Sequence, residues 1–233
     1  MGQIPVDRSL PLRERKKLRT RRALADAALR LFVEKGFDAT TIEELTDEAE
    51  VSKSTFFRFF PAKEAVAIEA EVELWSAYVA ALAEHTFSRA VLKDMHDTLV
   101  AAMTGLDADW DERFLATRQL ITKTGSSLHA YIEYYRSTVK GQVVDCLATK
   151  LDLDGDDLRL HVLAELTFAA FSISGRHWVR NGGRGGRKAL IKRFDDAIDA
   201  IPASLNLTGD TQDKPQRQVP ARRLHNVGGP QAD

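Results

Sequence analysis

Apolar side chains recur at three- and four-residue spacing through most of this chain, a period that predicts helices. Ala23, Ala27 and Leu31 lie four apart, and Leu24, Ala28 and Phe32 follow one place behind. Together they form one stripe on a helix over 13–35. Gly36 follows, where a left-handed C-cap favours glycine. Thr41-x-x-Glu44 has the form of a capping box for a helix over 41–48. Ser52 suits the N-cap of a third helix over 52–59, and Pro61 the first turn of a fourth. Longer helices are predicted over 62–84, 88–104, 110–122, 126–150, 155–180 and 186–200. Gly105, Gly125, Gly155 and the glycine-rich run 181–186 mark the breaks. No segment alternates like a strand between turn residues. The expected fold is all-α with about nine helices.

The pattern fades at both ends. Residues 1–12 hold Pro5 and Pro11 without a sustained period and read as a flexible arm. Residues 202–233 hold four of the seven prolines and few large apolar side chains, so they read as a disordered tail. Between these lie a helix-turn-helix unit over 13–61 and a larger helical domain over 62–201.

Composition narrows the class. The chain has 233 residues, 44% hydrophobic and 8% aromatic, enough for a sizeable core. A single cysteine, Cys146, excludes an intramolecular disulfide framework and any multi-cysteine metal site. The N-terminus lacks an apolar segment of signal-peptide length. The most apolar stretch, 162–173, is short and carries Glu165. Nothing approaches the roughly 20 apolar residues of a membrane span, so a cytoplasmic protein without membrane contact is expected.

Two short helices joined by a tight turn, behind a longer one, form a helix-turn-helix pattern. Ile42, Leu45 and Ala49 give the second helix an inner face, Val51 plugs the turn, and Phe56 and Phe60 give the third its inner face. Lys53, Ser54, Thr55, Arg58 and Phe59 are left pointing outward or sideways. A helix entering the major groove needs such donors near its N-terminus to reach base edges.

On these residues the sequence resembles the TetR family of bacterial transcriptional regulators. Thr40-Thr41-Ile42-Glu43-Glu44-Leu45 looks like the start of the family's second helix. Residues 49–64, AEVSKSTFFRFFPAKE, follow its turn, recognition helix and entry to the fourth helix. The resemblance covers about residues 20–65. It implies that Lys53, Ser54, Thr55 and Arg58 face bases or nearby phosphates, and that Ser52, Phe57, Phe59 and Lys63 touch the DNA backbone. With Thr41, Arg15 and Arg19 these are the candidate contacts to double-stranded DNA. Two positions depart from the family pattern. Phe57 and Phe59 stand where Tyr and His or Tyr are common, which removes polar donors to phosphate. Glu50 stands at a turn position usually held by Gly, where a side chain at positive φ costs about 1 kcal/mol.

Charge places this contact. Overall the chain carries 33 Lys and Arg against 34 Asp and Glu, a formal net of −1. Residues 13–22, however, hold seven bases against Glu14, a local net of +6 suited to phosphates or an adjacent minor groove. The second helix and turn hold Glu43, Glu44, Asp47, Glu48 and Glu50 with no base. Those acids are expected to face away from DNA or to pair with the first helix.

Other motifs carry less. Asp152-x-Asp154-Gly155-Asp156-Asp157 resembles a calcium loop, but Asp157 and Leu163 stand where an EF-hand needs Gly and Glu. Acids capping a helix are the simpler reading. The glycine run 182–186 lacks P-loop order. No nucleophile-elbow, zincin or Cys/His pairing motif appears, so neither an enzyme nor a metal or other cofactor is expected.

In the larger domain, a pocket needs apolar walls with a few polar anchors. Candidates are Trp75, Tyr78, Trp110, Arg118, His129, Tyr131, Tyr134, Tyr135, Thr138, Glu165 and Phe168. Glu165 needs a partner, for which Arg118 is a candidate. The aromatic residues point to an apolar or aromatic small-molecule effector. The resemblance further implies a homodimer through a four-helix bundle of the last two helices. Leu163, Leu166, Ala170, Ile173, Trp178, Leu190, Phe194 and Ile198 are its candidate contributors. The expected function is a repressor that binds a palindromic operator and leaves it when an effector enters the helical domain, with helix 62–84 as transmitter. Two alternatives stay open: a small-molecule carrier or enzyme with a degenerate DNA head, and a regulator that acts by pairing with another protein.

Overall fold

The computed structural model describes residues 11–207, without the side chain of Ser126. The expected arm over 1–12 lies outside this range apart from its last two residues, as does the expected tail from 208 onward. Among the described residues the chain is all-helical: α1 (Leu12–Lys35), α2 (Ile42–Glu48), α3 (Lys53–Phe59), α4 (Lys63–Ala67), α5 (Glu69–Glu84), α6 (Val91–Gly105), α7 (Trp110–Lys123), α8 (Ser126–Leu151), α9 (Leu158–Arg180) and α10 (Gly186–Leu205).

The tenth helix arises because 62–84 is not one helix. Ile68, with φ −103° and ψ 15°, separates α4 from α5. Ile68 is fully buried, and the break lets α4 pack on α1 and α8 while α5 turns into the bundle of α6, α7 and α8. Pro61 lies just before α4 rather than in its first turn, and Ala62 holds the N-cap position. At the far end α10 runs through Pro202 to Leu205, past the expected helix end at 200. Gly36 ends α1 with a positive φ, +92°, but with ψ 152° rather than the left-handed helical cap expected, and its amide donates to the Phe32 carbonyl. Asp157 caps α9 by accepting from the Arg159 amide at 2.9 Å, as the capping reading of the acidic loop required.

Two apolar clusters organise the packing. The first joins Leu24, Ala28, Phe32, Leu45, Phe56 and Phe60 of α1–α3 and its C-terminal flank to Val66 and Ile68. Leu120, Ile121, Leu128 and Ile132 from α7 and α8 belong to it too. The head is thus seated on the larger bundle by shared core. The second centres on Trp75, Tyr78, Trp110, Phe114, Phe168, Phe171, Trp178 and Phe194.

Candidate functional site

Helix α3 separates its two faces sharply. Phe56, Phe59 and Phe60 are buried, while Lys53, Ser54, Phe57 and Arg58 are exposed. Ser52 sets the start of the helix: its hydroxyl accepts from the Thr55 amide at 3.1 Å and lies 3.0 Å from the Thr55 hydroxyl. Thr41 does the same for α2 within a complete capping box. Phe57 stands edge-on against Phe56 at 5.4 Å, half exposed, and so offers a rigid apolar edge. Arg58 has no hydrogen-bond partner among the described residues; its guanidinium lies 5.2 Å from the Phe59 ring.

Two expected contacts are also engaged within the fold. Phe59 is only 9% exposed. Lying three residues after Phe56, it falls on the inner face, where its carbonyl accepts from Arg21 at 3.1 Å. The Lys63 ammonium donates to the carbonyls of Phe37 (2.7 Å) and Thr40 (2.9 Å), 4.4 Å from the Phe37 ring. It closes the α1–α2 loop and keeps one of its three donors for anything else. With Thr41, Lys53 and Phe57 it still borders one open hollow beside α3.

The acids of α2 are largely neutralised. Glu44 pairs with Lys35 at 2.9 Å and Glu48 with Arg30 at 2.6 Å, both on α1 as expected. The Thr41 amide and Lys35 hold the Glu44 carboxyl at about 2. Glu43 is different: it pairs with Lys53 of α3, which lowers its carboxyl pKa. Glu50 adopts φ +52°, the left-handed turn anticipated for it.

The basic run of α1 divides in two. Arg13, Lys16, Lys17 and Arg19 are exposed, and Arg15 is partly buried. Arg21 and Arg22 turn inward. Arg21 grips Glu69 of α5 at 2.5 and 2.6 Å, and burial nonetheless raises the Glu69 carboxyl. Arg22 bonds Asp26 at 2.9 Å, Asp107 at 3.3 Å and Asp109. These two arginines attach the head to the bundle rather than to a nucleic acid.

In the bundle, α5, α7, α8 and α9 enclose a pocket of about 310 Å³. Its floor is the Trp75–Phe168 stack, with centroids 4.3 Å apart and planes 10° from parallel. Beneath it Glu71, fully buried, accepts from Arg118 and Arg136 at 2.8 Å each and from the Trp75 indole N–H at 2.9 Å. Burial alone would raise this carboxyl; the two arginines outweigh it and hold it at about 2. Lys140, Glu165 and Arg176 stand on the wall.

Of the expected ligand residues, Trp75, Arg118, Glu165 and Phe168 meet here. Tyr78 and Trp110 are fully buried core; the Trp110 N–H donates to the Ala70 carbonyl at 2.9 Å. Tyr134 is 74% exposed on the outer side of α8. Tyr131 and Tyr135 pack on the head cluster, burial pushing the Tyr135 hydroxyl to about 12. His129 and Thr138 bond backbone carbonyls of their own helix region and are exposed. Glu165 pairs with Lys140 at 2.8 Å, not with Arg118, which is drawn to Glu71. Missed were Glu71, Arg136, Lys140 and Arg176. One signal was available: Glu71, Trp75, Tyr78 and Leu82 share one helix face, so Glu71 is an acid on an apolar stripe.

Residues 24–70 match the family model for bacterial regulatory proteins of the tetR family. Over 215 residues, 86% of this chain and 92% of the other, the chain is 29% identical to the HTH-type transcriptional regulator TcmR of Streptomyces glaucescens. The chain is thus similar to regulators of the TetR family, most directly in its helix-turn-helix head. Its fold is also similar to two solved structures. One is the fatty acid degradation regulator FadR from Bacillus halodurans (TM-score 0.54, 16% identity, 78% of this chain and 96% of the other). The second is NalD, the secondary repressor of the MexAB-OprM efflux pump in Pseudomonas aeruginosa (0.52, 14%, 79% and 95%). The match of residues 24–70 and the similarity along the chain are to DNA-binding transcriptional regulators. Among its described residues no helix is long and apolar enough to cross a membrane.

The expected dimer residues divide by burial. Ala170, Trp178, Leu190 and Phe194 lie in the core of their own chain, because α9 and α10 pack first on each other. Leu163, Leu166 and Ile198 are partly buried, and Ile173 is 54% exposed. Leu158, Val162 and Ala169, not anticipated, share the exposed face of α9 with Ile173.

Proposed function

We propose that this regulator is a homodimeric repressor acting in the cytoplasm. It binds a palindromic operator through α3 and is released when a small-molecule effector enters the bundle pocket. The observation that carries the reading is the division of α3: three phenylalanines bury one face and present Lys53, Ser54, Phe57 and Arg58 on the other. Lys53, Ser54, Thr55 and Arg58 reach base edges or adjoining phosphates. Thr41, Ser52, Phe57, Arg15 and Arg19 fix the register on the backbone. Lys63 and Phe59 act by holding this surface in shape.

A second copy docks on the exposed stripe Leu158, Val162, Ala169 and Ile173, which gives two recognition helices one dyad. Effector release requires a ligand that prefers the arrangement with the wrong spacing between those helices. The pocket and the head are joined through α5 and α7, by Arg21–Glu69 and by Arg22 on the α6–α7 connection. NalD, which shares the fold, is itself a repressor.

Gel shifts of the purified chain against its own upstream intergenic DNA test the reading. Salt-dependent binding of one site, weakened by Lys53→Ala and by Arg58→Ala, is expected. Absence of binding, or binding insensitive to salt, overturns it. Solution mass with Ile173→Glu tests the dimer face, and an unchanged dimer refutes that placement.

A further inference from the structure

We infer that the bundle pocket selects an organic anion, specifically a carboxylate carried on a flat aromatic body. This rests on the reading of the pocket as the effector site and names the chemistry that would fill it. The composition of the chain pointed only to an apolar or aromatic ligand; the geometry adds charge. Arg118, Arg136, Lys140 and Arg176 border one space. Against them stand Glu133, Glu165 and the buried Glu71, which leaves the wall one positive charge in excess.

The cations are unequally committed. Arg118 is 11% exposed and gives one nitrogen to Glu71; its other nitrogens have no protein acceptor among the described residues. Among the described residues Arg176 bonds only the Ser172 hydroxyl, at 2.9 Å. Glu71 accepts three hydrogen bonds, so it is satisfied and cannot bind an incoming cation. It acts instead as a fixed counter-ion that holds two guanidinium groups in place. A ligand carboxylate meets donors that are already oriented, and a charged hydrogen bond is worth more than a neutral one. Lys140 is tethered to Glu165 but lies 5.7 Å from the Phe168 ring, so it can swing between the acid and a ligand. Trp75 and Phe168 provide a flat floor for the body of the ligand. The mouth is bordered by exposed Glu133 of α8 and by Glu165 and Arg176 of α9, with Ala169 at the edge it shares with the stripe proposed for the second copy.

The test uses the full chain and four probes: 2-naphthoate, 2-naphthamide, 2-naphthylmethylammonium and octanoate. Binding is followed by calorimetry and tryptophan fluorescence, and operator release by gel shift. We expect 2-naphthoate to bind about tenfold or more tightly than the neutral amide, and the ammonium compound not to bind. Octanoate should bind more weakly for want of a stacking face. Lys140→Gln and Arg176→Gln, both solvent-facing and so safe for folding, should weaken 2-naphthoate and leave the amide unchanged. Equal or tighter binding of the amide or the ammonium compound overturns the anion inference, as does failure of all four probes. Preferential binding of 2-naphthoate that leaves the operator complex intact supports the anion inference and overturns the effector-release reading instead.

Discussion

The molecule holds two groups of cations that differ in how firmly they are fixed. On α3, Lys53 and Arg58 are exposed, and Arg58 is free of hydrogen bonds among the described residues. In the bundle, Arg118 and Arg136 are mostly buried and locked on Glu71. Phosphates recur along a duplex, and contact with them is screened by salt, so exposed and adjustable side chains suit them. A small ligand offers one charge at one place, and fixed donors avoid the entropy cost of ordering on binding. Glu43 lies between these cases. It pairs with Lys53 at the surface, a contact too exposed to hold strongly.

The comparison breaks most visibly at Glu71. Glu71→Gln leaves the largely buried Arg118 without its counter-ion and Arg136 with only the exposed Glu133, and urea unfolding should show a loss of about 3 kcal/mol. Its pH dependence has a definite sign. In the unfolded chain this carboxyl titrates near 4.5, in the fold at about 2, so the fold binds fewer protons between those values. Its stabilisation is complete above pH 4.5 and is lost as pH falls toward 2. The Glu71→Gln variant should lack that acid limb. An unchanged acid transition would show that the triad is not a stabilising unit.

Arg58→Ala should show the opposite profile. Stability should move by less than about 0.5 kcal/mol, while specific operator binding weakens by about 1–3 kcal/mol. Ser52→Ala removes the cap of α3 and should cost about 1 kcal/mol of stability, read by thermal unfolding. Arg19→Ala should have the smallest effect. It lowers the slope of log K against log salt by about one, with sequence preference and melting temperature unchanged. A large stability loss from Arg58→Ala or Arg19→Ala would erase the contrast between the two groups of cations.

Much of the head was readable because its signals are local. A capping box, an N-cap serine and phenylalanines four apart act within one or two helical turns, and α2 and α3 lie where those signals place them. Phe59 and Lys63 make contacts within the fold that the family pattern does not reveal, for a tertiary reason. The family pattern puts both near DNA, whereas packing against α1 turns the Phe59 ring inward and offers Lys63 two loop carbonyls. The break at Ile68 has the same origin. Nothing in the sequence 62–84 opposes one continuous helix, yet α4 must follow α1 and α5 must enter the bundle. For the pocket, Trp75 and Phe168 were visible as aromatics, but their stack joins helices more than ninety positions apart.

By itself, then, the sequence determined the helical class, the three-helix head and the outward face of α3, since helix period and caps depend on neighbours in the chain. Tertiary structure alone decided which charges work inside the fold. Seven bases in residues 13–22 look alike in sequence, yet Arg21 and Arg22 turn toward acids of α5 and the α6–α7 connection. Glu71, one of three alternating glutamates in α5, became the buried anchor of the pocket because its helix face meets Arg118 and Arg136. Periodicity tells which face of a helix is turned inward. It does not tell which partner waits there, and for a buried charge the partner decides between stability and cost.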